Sequence, residues 1–305
     1  MMNKLSKLLM MAVFFAIYSY SPNANAQISQ IFKGVKMGDP LETVKAKLAN
    51  RCASTQTYTS KNPSFPLAKQ KEAHLICKNY RMSKNSVAFD EVAFVFADGK
   101  LCLIEARGNL TKRLAFNEFY KGYKFFIHPD MMAIQEATKT VWFLTKEGAH
   151  PNLFAWSNPY FKSSKVKKYT TSAKVPAMFE FGKGVKALKP LFEKKSSFID
   201  TQVINKNRTQ LNCFGVEYAG FPRKVEAVFK KDKLSLLWIL TAKQEEDRIR
   251  QHLVKAYGKP IHTNNDWEVF NNWQVMLRKD KPEVLVIAKE SIPEYKKRML
   301  EKAKK

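Results

Sequence analysis

The stretch NLFAWSNPYFKSSKVKK, residues 152–168, sets Phe154, Trp156, Tyr160 and Phe161 just before Lys162, Lys165, Lys167 and Lys168. Rings beside cations can hold an anionic polymer, by stacking and charge together. The same spacing also suits a plainer arrangement, in which alternate rings face a core and the lysines form a linker. These eight residues are the candidate ligand site. The histidines are His74, His128, His150, His252 and His262, and none meets another His, Cys or carboxylate at helical metal spacing. His252 follows Glu245 and Asp247 by seven and five residues, which is off any common ligand face of a helix. No glycine-rich loop ends in Gly-Lys-Ser/Thr, and there is no Gly-x-Ser-x-Gly elbow. Carboxylates are scattered, so a paired-carboxylate hydrolase has no signature in the sequence. The residues thus assign no catalytic group, no metal site and no cofactor.

The four cysteines are Cys52, Cys77, Cys102 and Cys213, with no C-x-x-C among them. Three full pairings are open to four cysteines. Cys52 follows a predicted helix and Cys77 lies on the next predicted strand, so helix–sheet packing favours a Cys52–Cys77 disulfide. That leaves Cys102 and Cys213 as free thiols.

The elements that must position these residues repeat. VAFVFADGKLCLI (92–104) reads as a hairpin around Asp98-Gly99, and VEAVFKKDKLSLL (225–237) reads as its altered copy. Phe96, Lys100, Leu101 and Leu103 fall on Phe229, Lys233, Leu234 and Leu236 at an offset of 133. Cys77 matches Cys213 at 136, and Trp142 and Pro151 match Trp273 and Pro282 at 131. Ordered matches with drifting offsets indicate an old duplication, against convergence of two ordinary hairpins. In the first copy, Asp39 and Pro40 start a helix whose stripe is Leu41, Val44 and Leu48. A strand at 73–81, the hairpin, a helix at 110–122 ended by Gly122, and a hairpin over 140–156 follow. The second copy opens with a helix, GVKALKPLFEKK, that Pro190 interrupts. Strands near 208–217, 224–230 and 233–240 precede a strong helix. That helix carries Ile249, Leu253 and Tyr257 on one face and stops at Gly258 and Pro260. Strands near 266–270, 273–279 and 283–289 close the copy. The expected class is α+β: two tandem modules, each an antiparallel sheet with helices packed on one face. The organisation predicted is a signal peptide at 1–26, modules at 27–161 and 175–293, a basic linker at 162–174 and a basic tail at 294–305.

The helix after F-x-G-V-K-M-G-D, with strands ending in F-x-D-G-K-L, resembles the module of the β-lactamase-inhibitor-protein-like group. It is similar also to the small lipoprotein of the outer-membrane barrel-assembly machinery. The matching residues are Phe32, Gly34, Gly38, Val44, Leu48, Phe96, Asp98, Gly99 and Leu101. Leu253 and Tyr257 to Pro260, before tryptophan-bearing strands, follow a pattern of small exported bacterial proteins. The resemblance covers about 70 residues of each copy and implies an envelope or secreted binding module rather than an enzyme. The second copy lacks the Asp-Pro cap and the Asp-Gly turn, and position 27 is Gln where a lipoprotein has Cys.

The start of the chain points the same way. Lys4 and Lys7 precede an apolar run, Leu8 to Tyr18, and Ala24-x-Ala26 supplies a cleavage pattern, so a mature N-terminus at Gln27 is expected. No later run approaches the twenty or so apolar residues of a membrane span. Net charge is +26, carried by 53 Lys and Arg against 27 acids. Ten of the 53 are Arg, and a Lys-heavy balance suits a solvated surface as well as it suits phosphate recognition. From Lys162 to Lys195 there are ten Lys against two Glu. These observations predict a periplasmic or secreted, non-enzymatic binding or adaptor protein of the bacterial envelope. Its expected partners are an envelope protein or an anionic envelope polymer, and nucleic acid is disfavoured. The alternative is a hydrolase acting on an envelope polymer.

Overall fold

The computed structural model describes residues 24–302, except 117, 121, 129, 152 and 163–168. The expected cleavage site's upstream segment and Lys165, Lys167 and Lys168 lie outside the described residues. The chain is mostly sheet. The first sheet contains β1 (Ser54–Ser60), β2 (Glu72–Tyr80), β3 (Phe89–Ala97), β4 (Lys100–Arg107), β5 (Glu118–Tyr120), β6 (Tyr123–His128), β7 (Asp130–Gln135) and β8 (Thr140–Leu144). Its order is β1-β2-β3-β4-β8-β7-β6-β5. The second contains β9 (Phe198–Asn205), β10 (Arg208–Tyr218), β11 (Phe221–Lys230), β12 (Lys233–Leu240), β13 (His262–Thr263), β14 (Trp267–Phe270), β15 (Val275–Arg278) and β16 (Glu283–Ile287). Its order, read from β9, is β9-β10-β11-β12-β16-β15-β14-β13, the first order with every strand advanced by eight. All pairings are antiparallel.

Register follows the same parallel. Cys77 faces Val92, and Cys213 faces Val225. Phe96 faces Leu101 and Phe229 faces Leu234, each just after a β-bulge. The tryptophan match does not hold. Leu103 faces Leu144 and Leu236 faces Ile287, which puts Trp142 of β8 at the position of Leu285 in β16. Trp273 instead sits in the β14–β15 turn, at φ 70°.

Six helices complete the described chain: α1 (Ala24–Ile31), α2 (Leu41–Lys47), α3 (Lys146–Ala149), α4 (Val185–Lys195), α5 (Glu246–Tyr257) and α6 (Ile292–Lys302). The helix expected at 110–122 is absent. Residues Asn109–Arg113 make a single 3-10 turn, β5 follows, and Gly122 serves the β5–β6 turn at φ 81°. The place is filled from elsewhere, because α1 packs on β6 and β7 and seats Ile28 and Ile31 in the core. The hairpin expected over 140–156 keeps its first strand, but α3 replaces the second, capped by the Thr145 hydroxyl accepting from Gly148 N at 3.3 Å. Helix α4 runs through Pro190, whose ring is exposed, because Leu188 and Phe192 on the other side are buried in the core. The predicted tail is helical through Lys302 and buries Met299.

Both faces of each sheet are covered. Alternation along β8 sends Val141 and Phe143 to the side of α1 and α2, and Trp142 and Leu144 to the opposite side. The second sheet packs α4 and α5 on one face and α6 on the other, so helices on one face describes the first sheet better than the second. Among the described residues no long helix lies on the first sheet's other face. That face meets the segment 154–161, the loop residues Phe65 and Leu67, and side chains of the second sheet's elements, Phe198, Phe214 and Phe221. Cys52 and Cys77 are joined as a disulfide with Cα atoms 5.5 Å apart, and Cys102 and Cys213 are free and buried.

Candidate functional site: the cleft between the sheets

Phe154, Trp156 and Phe161 are core residues, 4 %, 7 % and 2 % exposed. Phe154 packs on Tyr123, Phe198 and Phe214, and Trp156 on Phe65 and Phe221, so these rings join the two halves. Tyr160 is half-buried, stacked on Tyr58 at 4.0 Å. Lys162 is exposed, and its backbone N–H donates to Glu91 at 2.9 Å. Of the eight candidates, Trp156 and Tyr160 come together in one place: a cleft of about 680 Å³ between the halves.

Its walls come from β2, the 61–71 loop, the 156–160 segment, the β10–β11 turn and α5. Alternation along β2 puts Glu72, His74 and Ile76 on the face opposite Leu75 and Cys77. That places Glu72 and His74 in the cleft wall. His74 Nε2 lies 3.7 Å from Glu72 Oε1. Glu72 Oε2 accepts the backbone N–H groups of Ser64 and Phe65 at 2.8 and 2.7 Å. Burial works to raise the Glu72 pKa, but His74 and those N–H groups outweigh it and hold the carboxyl below its ordinary value. On the other side of His74, Asn158 Nδ2 lies 3.0 Å from Nδ1. Asn158 Oδ1 accepts from Tyr160 N at 3.0 Å, which orients the amide so that Nδ2 donates to His74. The His74 proton then sits on Nε2, towards Glu72. Asn158 N donates in turn to Glu105 Oε2 at 2.6 Å, and Arg107 Nη2 lies 3.1 Å from Glu105 Oε1. Burial is the largest influence on Glu105 and pushes its pKa up to about 7, against the pull of Arg107 and Asn158.

The second half contributes α5. Arg223 and Glu245 form a buried two-point pair at 2.6 and 2.9 Å. Arg223 also donates through Nε to Tyr218 O, and Glu245 Oε1 accepts from Ala242 N at the start of the helix. One turn on, Arg248 reaches across the cleft and donates to Ala68 O at 2.6 Å and Phe65 O at 2.9 Å. This arginine fastens the 61–71 loop of one half to the helix of the other. His252 lies a further turn along, and burial, then Arg223, Lys255 and Arg248, lower its pKa.

Sequence reasoning missed His74, Arg248 and His252. A signal was available for the first, since Glu72-x-His74 on a strand shares a face. Arg248 and His252 fall on the polar side of an amphipathic helix, and nothing local says that the first half of the chain faces them. Among the described residues there is no cluster of three or more His, Cys, Asp or Glu able to hold a metal, and no helix is long and apolar enough to cross a membrane. No protein-family model, curated protein or solved structure matches the chain.

Proposed function

We propose that the chain is an exported, non-enzymatic binding or adaptor protein of the bacterial envelope, periplasmic or secreted, built by duplication of one α+β module, and that the cleft between the copies takes its ligand. The observation that carries this reading is the state of the cleft's charged groups. Glu72 is held by two N–H groups and His74, Glu245 by Arg223, and His74 by Asn158. Such a saturated network positions walls well and transfers protons poorly. Export is supported by the charged, apolar, Ala-x-Ala start and by the disulfide. A cut before Gln27 also keeps Ile28 and Ile31, both in the core, on the mature chain. Duplication is supported by the shared strand order and paired bulges. One further correspondence supports duplication. Gly38 N and Leu101 O bond at 2.8 Å in the first copy, as Gly182 N and Leu234 O do at 3.0 Å in the second.

The test is capture from envelope extract at physiological salt, with the wild-type chain and with Tyr160→Ala and His252→Ala, two cleft residues whose side chains make none of these bonds. The reading requires a captured component that both substitutions weaken. The second reading, a hydrolase of an envelope polymer, draws on Glu72 and His74 standing side by side in the cleft wall. It requires turnover of an envelope polymer fraction that Glu72→Gln abolishes.

A further inference from the structure

At one end of the second sheet, the turns β9–β10 and β11–β12 lie together, joined by Lys231 N donating to Asn207 O at 2.8 Å. Residues 201–208 are exposed without a break. Val203 (75 %) and Ile204 (47 %) are both exposed here, at a bulge where the β9–β10 register passes over Ile204. Cations surround this apolar tip. Arg208 is the cross-strand partner of Lys230, Lys230 is that of Lys233, and Lys206 and Lys231 occupy the turns. Two carboxylates offset part of this charge: Asp232, whose Oδ1 accepts Val185 N at 3.0 Å, and Glu294, which lies 3.7 Å from Lys230.

Neither feature stabilises the free protein. Like charges directly opposite one another repel, and water-facing Val and Ile lose the benefit of burial. The first sheet does not share them. Its β1 ends in Thr59 and Ser60, and the following loop turns back so that Asp98 accepts the N–H groups of Lys69, Gln70 and Lys71. The tip is therefore a property of this half and not of the strand order.

We propose that this end of the second sheet docks on an anionic lipid surface. Val203 and Ile204 enter the boundary of the acyl chains, and Lys206, Arg208, Lys230, Lys231 and Lys233 lie over the headgroup phosphates. One surface suits both features, since it supplies negative charge and an apolar layer beneath it. A soluble polyanion would relieve the charge alone.

The experiment is co-sedimentation of the mature chain with phosphatidylcholine vesicles, with and without phosphatidylglycerol. Binding is expected with phosphatidylglycerol and not without it. Each of Lys230→Gln and Lys231→Gln should weaken it about fivefold. The double variant Val203→Ser with Ile204→Ser keeps every charge and should weaken it roughly tenfold or more. Its melting temperature should match the wild type, since both side chains face water. Unchanged vesicle binding by that double variant would overturn the proposal in favour of charge alone. Loss, in that variant, of a dimer seen for the wild type by sedimentation velocity would overturn it in favour of β9 pairing with a second copy.

Discussion

Each half of the molecule buries a glutamate against an arginine, and the two pairs are built differently. Arg223 and Glu245 are both sealed, their side chains 0 % and 3 % exposed, and meet at two points. Glu105 is equally buried, but its partner Arg107 is 21 % exposed and meets it at one point. In the sealed pair Glu245 is met twice by Arg223 and once more by Ala242 N. The open pair leaves burial as the largest influence on its carboxyl, which rises to about 7. The two pairs show that an arginine beside a buried carboxylate can meet it in two ways, at two points where both are sealed or at one where the arginine opens to water.

The largest effect expected from this comparison is at Glu245. Glu245→Gln leaves the Arg223 guanidinium buried without a counter-charge and should cost about 3–5 kcal/mol in denaturant unfolding. Glu105→Gln should cost far less, because its proton is already half bound near neutral pH. Equal losses in the two variants would break the comparison.

The cysteine positions give the next contrast. Ala53 N bonds Lys78 O in the first half as Ser197 N bonds Phe214 O in the second, so Ser196 stands where Cys52 does and Cys213 where Cys77 does. Burial pushes the Cys213 thiol up to about 12, with the Ser196 side chain beside it acting in the other direction. One half is thus stapled and the other holds half of a staple. Cys77→Ser should lower stability by roughly 3 kcal/mol on the chain-entropy account. Ser196→Cys should form a second disulfide with Cys213 and raise stability by up to about the same amount. Peptide mapping without reductant reads the bond. If Ser196→Cys leaves both thiols free, the two positions are not equivalent.

The pH dependence separates two carboxylates of the cleft region. The Glu105 pKa is raised from 4.5 to about 7, so the fold binds this proton more tightly than the unfolded chain does. Its contribution is fully present below about 4.5 and is lost as pH rises towards about 7. Glu72 is shifted the other way, so its contribution is present above its ordinary value of 4.5 and is lost as pH falls below it. Glu105→Gln should flatten the stability curve between about 4.5 and about 7 and leave the acid limb in place. An unaltered slope in that window would mean that another group titrates there.

Much of the sheet was legible because its strands alternate and its turns carry their own chemistry. Asp98-Gly99 marks a turn with φ of 49° and 86°, and the hairpin spacing aligned Phe96 with Phe229 correctly. Cys52–Cys77 was legible from the element order. Strands β5 to β7 were not, because FYKGYKFFIH mixes rings and lysines in a run that fits neither period cleanly. The tryptophan match failed because α5 lengthens the connection between β12 and β16, which shifts every later equivalence. The cleft was illegible for a different reason. It is made where two halves face each other, and Arg248 reaching Phe65 O is a contact across 183 residues that no local pattern encodes.

The smallest effect tests the two hairpin turns against each other. At Asp98-Gly99 the second position is the residue best suited to positive φ, and Asp98 also gathers three N–H groups. In the second half, Lys231 and Asp232 hold the same conformation, at φ 49° and 56°, with no glycine. Asp232 has a second duty in accepting Val185 N, so replacing it removes a bond as well as strain. Lys231 has no side-chain duty to the fold, and asparagine tolerates this region better than lysine does. Lys231→Asn should therefore stabilise the chain by roughly 0.5 kcal/mol, read as a small rise in the denaturation midpoint with unchanged m-value. Asp232→Gly should gain less or lose, because the helix cap goes with the strain. If Asp232→Gly stabilises more than Lys231→Asn, the cap contributes nothing and the two turns differ only in their backbone.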